Sequence, residues 1–142
     1  MDTPEVRRRL RAVIDQAKRG AAARRERADA AARDYEAFLQ DRAVPTFHTF
    51  AAALVAEGYR FKVFTPAGSV RLAAESGGED FIEITFDPTL DPPRPAGHTS
   101  RSRGRRSIVT ERAIRAGTAA ADLTDEDVLE FLVEEIAPFV ER

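Results

Sequence analysis

The sequence predicts an α+β fold: a long N-terminal helix able to form a coiled coil, then a four-stranded antiparallel sheet covered by a short helix and a C-terminal helix. Three observations carry this reading. Apolar and small residues recur at alternating spacings of four and three from Leu10 to Phe38. From Tyr59 the apolar period drops to two. After Thr124 it returns to the helical period, with Val128, Leu129, Leu132, Val133, Ile136 and Val140 forming a wide apolar face.

The first element spans about residues 4–40. Thr3 suits an N-cap and Pro4 the first helical position. The seam runs Leu10, Ile14, Ala17, Ala21, Arg24, Ala28, Ala31, Tyr35, Phe38. Its ends are large and its middle is mostly Ala, so close helix approach is allowed but little area is buried per residue. A continuous helix of this length is roughly 55 Å long, more than one small domain covers. It must pair with another chain, or bend near Gly20 and fold back; pairing is the favoured reading.

Val44-Pro45 predicts a break, with a second helix over 46–57 capped by Thr46 and closed by Gly58. Residues 59–65, 69–75 and 80–87 alternate as strands, separated by the turn signals Thr65-Pro66-Ala67-Gly68 and Ser76-Gly77-Gly78. Residues 88–105 read as a Pro/Arg-rich loop, because Pro88, Pro92, Pro93 and Pro95 each lack an N–H donor. A fourth strand is expected over 106–114, antiparallel to the third. The last helix covers about 125–141, with Thr124 and Asp127 as a short-armed capping box and Pro138 in its final turns. Two parts are expected: a helical segment over 1–42, and an α+β domain over 43–142 containing the loop at 88–105.

The composition excludes several kinds of function. The chain has 142 residues and no Cys, which removes disulfide frameworks, thiolate metal sites and thiol catalysis. Two His, His48 and His98, make an imidazole-rich metal site a poor expectation. No apolar run approaches the roughly 18–20 residues of a membrane span. The first residues lack a secretory pattern, so a cytoplasmic location is expected and no membrane partner. No P-loop, dinucleotide or nucleophile-elbow motif is present, and neither His lies beside a group that would fix it as a general base. No enzymatic activity, cofactor or metal is therefore expected. Glu130 and Glu134 share a face at i,i+4, but no His partners them.

Charge is unevenly spread. Residues 1–42 carry a net +3, 43–93 a net -4, 94–115 a net +6 and 116–142 a net -7. Basic clusters lie on the first helix at Arg7-Arg8-Arg9-Arg11 and Arg24-Arg25-Arg27. Eight acidic residues in the same stretch and an Ala-rich apolar face weaken any lipid reading. In the loop, Arg94, Arg101, Arg103, Arg105 and Arg106 stand among small residues, a pattern suited to neutralising phosphates. No aromatic side chain is interleaved for base stacking.

The order of elements over 46–141 is similar to the double-stranded-RNA-binding architecture in topology alone. Thr124-Asp125-Glu126-Asp127 opens the last helix with charge that repels phosphate, and the strand at 106–114 is additional, so no family is assigned.

The function expected is a non-enzymatic interaction or adaptor protein that self-associates, or docks on a protein partner, through Leu10, Ile14, Ala17, Ala21, Tyr35 and Phe38. The less favoured alternative is a nucleic-acid-binding module. It would use the loop 94–106, with Arg101, Arg103, Arg105 and Arg106 as its polyanion contacts, together with Arg24, Arg25 and Arg27.

Overall fold

A computed structural model describes residues 1–75 and 79–141. Among the described residues the fold is α+β, with five strands rather than four. The expected turn at 76–78 lies outside the described residues.

Helix α1 (Thr3–Phe38) passes through Gly20 without a bend into another element. Its N-cap is Asp2 rather than Thr3: the Asp2 carboxylate accepts the Glu5 N–H at 2.9 Å. The break expected at Val44-Pro45 does not occur. A π turn over Leu39–Ala43 carries the chain directly into α2 (Val44–Ala56). Val44 N–H donates to the Leu39 carbonyl, five residues back. Pro45 falls in the first turn of α2, where a missing donor is tolerated. Thr46 therefore lies inside the helix, its hydroxyl donating to the Arg42 carbonyl at 2.7 Å instead of capping. The helical run reaches 54 residues, so the division expected at residue 42 falls within it. At the far end Gly58 adopts φ 93°, with Tyr59 N–H on the Leu54 carbonyl and Gly58 N–H on that of Val55. That is a Schellman closure, and it needs the left-handed residue that Gly supplies.

The sheet is an antiparallel meander in sequence order: β1 (Phe61–Phe64), β2 (Val70–Ala74), β3 (Phe81–Asp87), β4 (Arg94–Arg103) and β5 (Arg106–Ala113). β4 corrects the expected loop at 88–105, and it also displaces the expected pairing of the last strand. β5 pairs with β4 rather than with β3. Three of the four prolines stay in the connection before β4, and Pro95 sits at its second residue, opposite Phe86. The remaining Gly, Ser and Arg residues are poor strand formers alone. Ladders from β3 on one side and β5 on the other supply what local propensity does not. The β4–β5 hairpin turns through Gly104-Arg105, with Gly104 at φ 64°.

One face of the sheet carries Phe61, Val70, Leu72, Ile82 and Ile84, all buried. The inner face of α2 (Phe47, Ala51, Leu54) and that of α3 (Asp125–Val140; Val128, Phe131, Leu132, Phe139) complete the core. Tyr35, Phe38 and Leu39 also belong to it. Phe61 meets Phe139 edge-on at 6.4 Å, and Tyr35 stacks on Phe86 at 4.8 Å. The Tyr35 hydroxyl donates to the Gly68 carbonyl at 2.7 Å, and burial pushes its phenol well above the usual tyrosine range. The capping box of α3 forms as the sequence predicts. Thr124 N–H donates to the Asp127 carboxylate at 2.9 Å, and Asp127 N–H to the Thr124 hydroxyl at 3.2 Å.

Candidate interaction surfaces

The helical seam divides into two environments. Tyr35 and Phe38, expected at an interface with a partner, are 3% and 2% exposed inside the chain's own core. Residues 1–19 behave differently: every one is exposed except half-buried Glu5. This segment leaves the domain as a free-standing arm. Val6, Leu10, Val13 and Ile14 lie on one stripe of it, between 41% and 65% exposed. Ala17 is exposed and Ala21 half-buried. Arg24 and Arg25 remain exposed, and Arg27 reaches Asp91 at 3.4 Å.

The β4–β5 hairpin gathers the expected polyanion residues. Arg101 lies opposite Ile108 and Arg103 opposite Arg106. Strand alternation puts Arg101, Arg103 and Arg106 on one face, with Arg105 in the turn. None of these four has an ion-pair partner among the described residues. The hairpin is moored on its other face. The buried Asp80 carboxylate accepts the Ser102 N–H at 2.7 Å, and the Ser107 hydroxyl donates to Glu79 at 2.8 Å.

The uncovered face of the sheet holds a row that sequence reading missed. Phe64, Arg71, Glu83, His98 and Glu111 are successive cross-strand partners from β1 to β5. Arg71 donates to Glu83 at 2.8 Å and lies 4.0 Å over the Phe81 ring. His98, expected in a loop, stands on β4 between two carboxylate-bearing strands. Residues 94–103 carry no apolar alternation to mark the strand, which is ordered by its ladders to β3 and β5. His48 is exposed on α2.

On α3, Glu134 and Glu135 are joined to Arg112, at 2.6 and 3.0 Å. Burial works against the Arg112 charge. The two carboxylate hydrogen bonds outweigh it and hold the guanidinium more firmly protonated than usual. Arg112 also lies 5.3 Å over the Phe131 ring. The expected Glu130–Glu134 pair is thus divided between solvent and an ion pair. Among the described residues no three His, Asp or Glu side chains are gathered closely enough to hold a metal. No helix among them is long and apolar enough to cross a membrane.

A cavity of about 290 Å³ opens at the end of the sheet, among Asp87, Leu90, Arg94, Arg112, Ile114 and Leu123. It is at the small end of ligand pockets. Asp87 at its rim is held below the usual carboxylate range by the hydroxyl and N–H of Thr89. No nucleophile–base pair is assembled there among the described residues.

Comparison with protein families, with curated proteins and with solved structures gives no match.

Proposed function

We propose that the chain is a non-enzymatic assembly protein in which the α+β domain is carried on, and oriented by, an N-terminal helical arm through which the chain self-associates. One observation supports this most directly. Residues 1–19 stand clear of the domain and expose Val6, Leu10, Val13 and Ile14 along a single helical stripe. Four large apolar side chains on one side of an isolated helix are costly in water and gain free energy on pairing. The π turn gives the arm a rigid base, because Phe38, Leu39, Ala43 and Phe47 around it are all 2% exposed or less.

The test is solution mass. The wild type is expected to be a dimer or larger by light scattering at both low and physiological salt. Leu10→Glu with Ile14→Glu is expected to give a monomer that still unfolds cooperatively, since neither side chain belongs to the core. A monomeric wild type at both salts would overturn the reading.

A second reading is favoured by the hairpin. Arg101, Arg103 and Arg106 share one face with no ion pair among the described residues, and Arg105 extends the group at the tip. Such a ribbon suits a nucleic-acid phosphate backbone. Four phosphate contacts predict that affinity for duplex DNA falls about a hundredfold between 50 and 200 mM salt. Neutralising all four Arg should flatten that dependence; binding that stays the same after neutralisation would exclude the hairpin.

A further inference from the structure

We infer that the arm of one chain docks antiparallel along α3 of a second copy, its arginine row against the glutamate row of that helix. The inference rests on the self-association reading and names the surface that receives the arm.

Among the described residues two amphipathic helix faces are left without cover, and they match. On the arm, Val6, Leu10 and Ile14 form one i,i+4 row, and Arg7 and Arg11 form the row one residue further round. On α3, Leu129 and Val133 form an i,i+4 row, 38% and 55% exposed. Glu126, Glu130 and Glu134 form the row one residue further round. Residues 1–27 hold nine basic and four acidic side chains, while α3 holds six acidic and no basic ones.

Polarity follows from geometry. When two right-handed helices pack face to face in parallel, the rows one residue on from each seam fall on opposite sides of the contact. When they pack antiparallel, those rows fall on the same side. Only the antiparallel arrangement sets Arg7 and Arg11 beside Glu126 and Glu130 while Val6, Leu10 and Ile14 meet Leu129 and Val133. The two helix dipoles then oppose, which adds a favourable term.

The occupant is a second copy for a reason of connectivity. The arm continues without a break into the domain's own core helix, and residues 1–19 do not lie on the domain. Its own α3 is therefore not the surface it covers. Pairing two arms together would instead bring the net positive segments of both chains into contact.

Charge exchange in the full chain tests this by sedimentation. Arg7→Glu with Arg11→Glu is expected to raise the dimer dissociation constant at least about tenfold, and so is Glu126→Lys with Glu130→Lys. All four changes in one chain should restore association to near the wild-type value, which a folding defect could not do. Wild-type association by the Glu126→Lys/Glu130→Lys chain would overturn the docking surface while leaving self-association through the arm intact. Failure of the fourfold variant to recover would overturn it equally. A monomeric wild type would remove the self-association reading, and this inference with it.

Discussion

Gly97→Ala is expected to destabilise the domain by about 3 kcal/mol, at the upper end for overpacking by a single methyl. The position is not special in its backbone angles; its constraint comes from across the core. A Cβ there would fall inside the contact distance of the Phe131 ring, 2.5 Å from Cζ, and 3.2 Å from Cδ1 of Ile114. Phe131 is fully buried on α3, and its ring also lies beneath the Arg112 guanidinium, so it has no easy retreat. The effect should be seen as a fall in the denaturant midpoint at constant slope. Phe131→Leu alone is expected to destabilise by leaving space. Combined with Gly97→Ala it should cost less than the sum of the two, because the new methyl fills part of that space. A Gly97→Ala protein as stable as the wild type would mean that α3 does not rest directly on β4.

Gly97 also explains why β4 was read as a loop. In sequence it looks like a breaker among Pro, Ser and Arg. In the fold its lack of a side chain is what lets a helix approach the strand. Local propensity and tertiary packing demand opposite things of this residue, and only packing reveals which prevails. By contrast β1, β2 and β3 were legible. Val70, Leu72, Ile82 and Ile84 alternate with Arg71, Glu83 and Thr85, and one-sided burial imposes that alternation directly. The Thr124–Asp127 box was legible for a similar reason, since capping is satisfied within four residues. The helix's continuity through Val44-Pro45 was not, because a π turn changes the hydrogen-bond register without leaving a compositional mark.

The candidate surfaces divide along the same line. Periodicity placed Leu10, Ile14, Tyr35 and Phe38 on one seam, and they do share one helix. It had no means of separating the two that the chain buries from the two that it exposes. Spacing and residue type are alike at both ends. What differs is that the sheet stops short of the arm. The arginines at 101–106 were found by composition alone, yet their arrangement on one face depends on a strand that composition argued against.

Deleting residues 1–42 is expected to abolish cooperative folding, whereas deleting residues 1–27 should leave the thermal midpoint within a few degrees of the full chain. The longer deletion removes Tyr35, Phe38 and Leu39, which are 3%, 2% and 1% exposed. Truncating one buried side chain of this size typically costs about 2–5 kcal/mol, and a whole domain is stable by only about 5–15 kcal/mol. Loss of all three, with the Tyr35 stack on Phe86 and its hydrogen bond to Gly68, exceeds what the remainder can absorb. Among the described residues the shorter deletion breaks one ion pair to the rest of the chain, half-exposed Arg27 to Asp91, worth less than about 1 kcal/mol. Thermal melts followed by circular dichroism distinguish the two chains directly. A folded, cooperative 43–142 fragment would mean that the helix is a detachable attachment, as a boundary at residue 42 implies. The expected result instead makes the last third of α1 a structural member of the domain. An arm built as the continuation of a core helix has a fixed direction, so whatever it binds is held at a set orientation to the sheet and its arginine hairpin.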